Sequence, residues 1–438
     1  MQLLYFLVVI VSLSCGSIPS PASEFVSAYG LMGPVAATSA MVVTWTLLCH
    51  CGAWLIGSQV KKEQLEPMVG ARLLEQQLEV FRWLSLVTIA LCLVGFGLAE
   101  VIAEAPILKD SMALQSIILL APGLLMTFAT WSAEQSYGVR LNYADGGIKN
   151  HLQSLWISFR SGLAWLITPV LLLLCVSDGI SQLPVSENSA SWITGGLLVL
   201  FVVIGLPVLI RKLFKTQPIE GTMQTWVSDL LSRSGVTGTK PVRWNTEGRA
   251  YNAMVAGFLP RFRSLLLSDR LLDELGREQI AMVVLHEAAH VRRRHVPLRM
   301  LAIMPAWVAA VLVTKIAGET PWALPLGSAA GILLTMLILR IVAYRSEYDA
   351  DVQACKMAAE ISPSVDGVPR SYNEACDCLS TALMRVTFDH PAARKPTWLH
   401  PGVADRVNWM RRHRSVPTNS STTAGTMANP AQPCHLIN

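Results

Sequence analysis

His286-Glu287-Ala288-Ala289-His290 is the stretch on which the reading of this 438-residue chain turns. Side chains four residues apart on a helix project from one face, so the two imidazoles can grip a single Zn2+. Glu287 between them is then placed to activate a water at the metal. Ile280, Val284, Glu287 and Val291 fall on one stripe that would carry the motif into a protein interior. Two histidines do not complete a site, because zinc needs a third protein ligand and an open position. A continuation with Gly at 293 and His at 296 would supply that ligand, but Arg293 and Val296 stand there, and His295 is one residue out of register.

The remaining route is a glutamate on a second helix with an aspartate one turn later, and Ser346-Glu347-Tyr348-Asp349-Ala350-Asp351 offers it. At i and i+4, Glu347 and Asp351 share a helix face, so one can bind the metal while the other orients a ligand imidazole. Asp349 points away. Three acids directly after an apolar stretch are costly unless they are used, which makes Glu347 the expected third ligand of one Zn2+ per chain.

Apolar residues make up 52% of the chain and charged residues 15%, a balance that suits a protein spending much of its length in lipid. Apolar stretches over about 31–57, 83–103, 111–131, 161–179, 192–210, 297–317 and 322–343 each approach the roughly 20 residues a helix needs to cross the hydrocarbon core. Residues 1–14 are also apolar but short and without a basic start, so a cleaved signal and an uncleaved first helix both fit. Cys15 is a poor lipidation site, since Ser12 stands where an aliphatic residue is expected.

Basic residues near span ends stay on the cytoplasmic side. With residues 58–82, 132–160, 211–296 and everything after 343 inside, only Lys109 and Lys315 of the 35 basic residues lie outside. The motif is therefore expected at the cytoplasmic face, in a bacterial inner membrane. The formal charge of +5 is then mostly this bias, and no basic run interleaved with aromatics points to nucleic acid. Nine cysteines form no CxxC pair, and a reducing cytoplasm argues against a disulfide framework. Cys49-His50-Cys51 lies inside an apolar span and reads as core packing.

The expected organisation is an N-terminal signal or anchor (1–30), a five-span region (31–214), a soluble segment carrying the motif (215–296), a membrane hairpin (297–343), a helical part with the third ligand (344–414) and a disordered tail (415–438). Lys61 to Arg82 reads as a helix leaving the membrane. Thr225 to Ser234 suits an amphipathic helix, Ser234 to Gly238 a turn, and Val242–Trp244, Ala250–Val255 and Ser264–Leu267 short strands. Arg292-Arg293-Arg294 complements the helix dipole and is expected at anionic headgroups.

The order Asn252-Ala253-Met254-Val255-Ala256-Gly257, then the His-Glu-x-x-His helix, two apolar spans and Glu347-x-x-Ala350-Asp351, resembles the membrane gluzincin metallopeptidases, the family of the CAAX prenyl proteases and HtpX-like heat-shock proteases. His400-Pro401 followed by Arg406 is similar to that family's C-terminal element, and His390-Pro391 is a second candidate without such an arginine. The resemblance covers roughly residues 220–411, and seven spans are closer to the CAAX-protease branch. It departs from the pattern at Ala288-Ala289, where Leu-Gly is common.

The resemblance implies a mainly α, multi-pass membrane protein of about seven spans with a small α+β zincin-type domain on the cytoplasmic side. It implies that His286, His290 and Glu347 bind zinc, that Glu287 is the general base and that Asp351 backs His286. Asn252 and Ala253 would lie on an edge strand that pairs with extended substrate. His400 would stabilise the oxyanion or donate a proton, with Arg406 bracing the site. The expected activity is zinc-dependent endoproteolysis of membrane proteins or membrane-tethered peptides, in quality control or processing. Two rivals are a signal-transducing receptor like the beta-lactam-sensing metallopeptidases and a silent scaffold. The first has one span between the motif halves and a large outside domain, where this chain has two spans and short outside loops. The second should lack a ligand or the base, and none is missing.

Overall fold

The computed structural model describes residues 2–18, 20–21, 26, 28–248, 251–388 and 394–413. His390 and the segment after 413, including the expected tail, lie outside them. Among the described residues seven helices are long and apolar enough to cross a membrane: Met32–Lys61, Pro67–Gly95, Met112–Arg140, Ile148–Ser181, Asn188–Leu213, His295–Ala317 and Ala323–Ser364. The second span differs from its expected 83–103, because it begins at Pro67 and stops at Gly95. Gly97, at φ 75°, adopts a left-handed conformation that breaks the chain before a short helix over Leu98–Glu104. The first helix, α1 (Gln2–Ser14), packs against the second and third spans, where Val8 is buried and Trp131 Nε1 donates to Tyr5 Oη at 3.0 Å.

Between the fifth and sixth spans lies a compact layer of one sheet and three helices. Strands β1 (Thr216–Pro218), β2 (Lys240–Trp244), β3 (Ala253–Ala256) and β4 (Ser264–Ser268) are ordered β1-β2-β4-β3. β2 and β4 are parallel; the two outer pairings are antiparallel. The helices are α2 (Gly221–Arg233), α3 (Asp269–Glu274) and α4 (Arg277–Arg292), which carries the motif. The three strands read from the sequence are present with shifted ends. β1 was not foreseen, because three residues are too few to show alternation.

α5 (Tyr372–Val386) and α6 (Val403–Arg412) complete the layer. Its core joins Leu265, Leu267, Val284 and Leu285 to Ala350, Ala354 and Ala358 of the seventh span. Ala288 and Ala289 are fully buried in that same core. Small side chains on α4 and on the seventh span thus face each other in one core. One helix of 39 residues, Ala323–Ile361, thus runs from the membrane into the soluble layer, where the sequence suggested a boundary near 343.

The sixth and seventh spans form a tight hairpin. A Cβ at Gly327 would sit 1.8 Å from Thr314 Oγ1 and 2.7 Å from the Ala310 carbonyl, and one at Gly331 2.8 Å from Ala310 Cβ. This small-xxx-small contact fixes the helix that carries Glu347. Gly327→Leu is expected to cost about 1–3 kcal/mol through overpacking and to lower the melting temperature in detergent. Gly195→Leu, where a Cβ meets nothing within 4 Å, should leave it unchanged; equal melting of the two variants would reject the hairpin's role.

Candidate metal centre

α4 begins with the Gly276 N–H donating to Gln279 Oε1 at 3.2 Å and holds an unbroken helix through the motif. His286 and His290 therefore point the same way, and Glu347 of the seventh span meets them. His286 Nε2 lies 3.2 Å from His290 Nε2 and 3.6 Å from Glu347 Oε2, and His290 Nε2 lies 3.5 Å from Glu347 Oε1. A tetrahedral site with legs of about 2.0–2.1 Å has ligand atoms about 3.3–3.4 Å apart. The three side chains therefore converge at about the spacing that one zinc ion requires.

Behind His286 stands a buried carboxylate. His286 Nδ1 is 2.9 Å from Asp351 Oδ1, and Asp351, fully buried, is clamped by Arg406 through Nε at 2.8 Å and Nη2 at 2.6 Å. Removing the arginine would break a buried charge pair, which costs about 3–5 kcal/mol. Arg406 Nη1 also stands 3.8 Å from Glu347 Oε2, and His400 Nδ1 is 3.3 Å from the same oxygen. Arg299, which sequence reasoning did not single out, places Nη2 at 3.2 Å from Glu347 Oε1. It lies 48 residues away in the chain, so no periodicity could have signalled it. Arg293 Nε donates to Asp349 at 2.9 Å, while Arg294 lines the cleft.

Burial by itself would lower the pKa of His286, but hydrogen bonding to Asp351 and Glu347 outweighs it and pushes the imidazole up to about 9. Burial and the neighbouring His286 push His290 down to about 2. Burial, reinforced by the charge of Glu347, raises Glu287 to about 7, a value suited to a group that must take and return a proton near neutrality. Because zinc must displace the His286 proton, zinc affinity of the metal-free protein is expected to rise about tenfold per pH unit and to level off once His286 is neutral, near pH 9. Chelator-buffered titrations across that range would show it, and a flat affinity would contradict the protonated ligand.

A cleft of about 720 Å³ opens beside the three donors, with Asn252, Ala253, Val255 and Val283 among its walls. β3 stands at the sheet edge, paired only with β4 among the described strands. The Ser268 N–H donates to the Asn252 carbonyl at 2.9 Å, and the Asn252 N–H donates to Ser268 Oγ at 3.0 Å, so the Asn252 backbone is tied inward. Alternation in an antiparallel ladder then turns the N–H and C=O groups of Ala253 and Val255 outward to the cleft. Val255 escaped sequence reasoning because its backbone, not its side chain, is what matters. Asp269 steadies the approach to this strand by accepting from the N–H groups of Thr246 and Gly248, both at 3.1 Å.

His400 sits in a loop braced from three sides. Trp398 Nε1 donates to the Met336 carbonyl at 3.3 Å, Tyr344 Oη donates to the Thr397 carbonyl at 2.5 Å, and Phe6 of α1 stacks on Trp398.

The model of peptidase family M48 matches residues 219–412, close to the 220–411 span of the motifs. The crystal structure of S. mikatae Ste24p is similar in fold, with a TM-score of 0.54 at 16% identity over 85% of this chain and 98% of that one. That likeness extends across the membrane spans, which the motifs alone did not reach. No curated protein matches the sequence. The His286, His290 and Glu347 donors lie inside the matched residues, on a mainly helical frame with seven spans and a small mixed sheet. Residues 219–412 thus form a peptidase family M48 domain, carried on a multi-pass membrane chain and holding the His/His/Glu donor set of a zinc metallopeptidase.

Proposed function

We propose that the chain is an endopeptidase, with one zinc per chain, that cuts membrane proteins or membrane-tethered peptides at the cytoplasmic face of a bacterial inner membrane, in quality control or processing. The position of Glu347 carries this reading. It lies 24 residues beyond Ala323 on one helix, or about 36 Å at 1.5 Å per residue, against a hydrocarbon core of about 30 Å. The centre therefore stands just clear of the bilayer, within reach of chain emerging from it. The sorting of basic residues to the motif's side supports the cytoplasmic face.

When bound by His286, His290 and Glu347, zinc would supply Lewis acidity toward a peptide carbonyl and a water. Ala253 and Val255 offer backbone groups that hold an extended substrate as an added strand, reading main chain more than side chains. Glu287 takes the proton of the attacking water and returns it to the departing amine. Arg406 brings positive charge and His400 a ring nitrogen beside Glu347, where an oxyanion would develop, and Arg406 also holds Asp351 against His286. No covalent intermediate is required.

Substrate capture tests the proposal. A Glu287→Gln trap, crosslinked in native membranes and analysed by mass spectrometry, should yield membrane proteins joined through cytoplasmic segments. Capture confined to segments on the opposite face, or to soluble proteins, would overturn it.

A further inference from the structure

The two zinc-ligand imidazoles are backed differently, and the difference assigns work to two residues outside the donor set. His286 Nδ1 faces the Asp351 carboxylate directly. His290 Nδ1 instead lies 2.9 Å from His295 Nδ1, and His295 Nε2 lies 3.0 Å from Asp349 Oδ2. We propose that Asp349 and His295 form a positioning relay that fixes the tautomer and ring orientation of His290; it rests on the zinc reading given above.

With both rings neutral, proton bookkeeping allows one arrangement that satisfies every contact. Ionised Asp349 can only accept, so the His295 proton sits on Nε2. His295 Nδ1 is then a lone pair and must accept, so the His290 proton sits on Nδ1. That leaves the His290 Nε2 lone pair toward the metal, as a ligand imidazole requires. Every other pair of neutral tautomers sets two N–H groups or two lone pairs face to face, either between the rings at 2.9 Å or at Asp349 at 3.0 Å.

The local fold is built for this contact. Arg294 takes a left-handed conformation, φ 55°, at the end of α4, which a non-glycine residue adopts only at a cost. The reversal starts the next helix at His295 and brings its ring back beneath His290, with centroids 5.0 Å apart and planes at 77°. His295 is 4% exposed. Arg293 Nε, at 2.9 Å from Asp349 Oδ2, holds the carboxylate in place. One stretch of the seventh span thus supplies a metal ligand at Glu347 and the support for each histidine, Asp349 for His290 and Asp351 for His286.

The test compares His295→Leu with His295→Asn. Asn Oδ1 stands at the same position along the side chain as His Nδ1, so it can accept from His290 but cannot reach Asp349. In detergent-purified protein, chelator competition should show zinc affinity about 10–100-fold weaker in His295→Leu, the usual cost of losing such a partner. His295→Asn should recover most of that loss, and the visible spectrum of the cobalt-substituted protein should shift in the Leu variant and return toward wild type in the Asn variant. Asp349→Leu should weaken zinc in the same direction as His295→Leu. If wild type binds zinc and His295→Leu binds it within twofold, the relay is wrong and the centre stands. If Leu and Asn weaken binding equally, or lower only the melting temperature of the metal-free protein, His295 is a packing residue and the relay is again wrong. A wild-type protein without zinc affinity would instead defeat the underlying zinc reading.

Discussion

Glu287→Gln is expected to lower proteolysis by roughly 10²–10⁴-fold, the usual worth of a positioned general base, while zinc stays bound. Glu287 is not among the three converging donors, so the metal does not depend on it. The amide matches the carboxylate in size and keeps the surrounding core intact, but it cannot accept the proton of an attacking water. The raised pKa of about 7 that burial gives the native carboxylate is what makes it easily protonated and deprotonated at neutral pH. Hydrolysis of a flexible protein such as casein, measured beside the zinc content of the same preparation, checks both halves. Activity within tenfold of wild type in a zinc-loaded variant would sink the assignment.

The second large effect is on the metal. Glu347 is 3% exposed and has three cationic or potentially cationic neighbours, Arg299, His400 and Arg406, within 3.8 Å. Glu347→Ala removes a donor and leaves that positive charge facing the ion. Breaking a buried charge pair costs about 3–5 kcal/mol, which converts to a zinc affinity weaker by roughly 10²–10³-fold or more. Dialysis against buffered zinc followed by metal analysis should find wild type near one zinc per chain and Glu347→Ala nearly empty. One zinc per chain in the variant would show that the third ligand lies elsewhere.

Much of this was legible in the sequence because the signals are local. The i, i+4 spacings of His286/His290 and Glu347/Asp351 are properties of single helices, and the seven spans follow from apolar length. The charge sorting depends on nothing but loop composition. What escaped is what only folding brings together. Asp349 lies off the face that Glu347 and Asp351 share, yet it holds His295, 54 residues distant. His295, a register failure for one ligand pattern, has a place in another. Arg293 carries the positive charge suited to a helix end and also meets a carboxylate 56 residues on, at Asp349. The seventh span continues past the expected boundary near 343 because Ala350, Ala354 and Ala358 replace lipid with the core around α4. Hydropathy marks where lipid ends, not where a helix does.

The central claim is that one zinc is held jointly by a soluble helix and a membrane-spanning one, through two imidazoles and a carboxylate. X-ray absorption at the zinc edge of the detergent-purified protein tests it directly. The predicted spectrum shows stoichiometric zinc with only nitrogen and oxygen ligands at about 2.0–2.1 Å and the outer-shell scattering of two imidazoles. A sulfur shell at about 2.3 Å would instead place the metal at thiols such as the buried Cys355 and Cys376 pair, 3.5 Å apart, and would contradict the account.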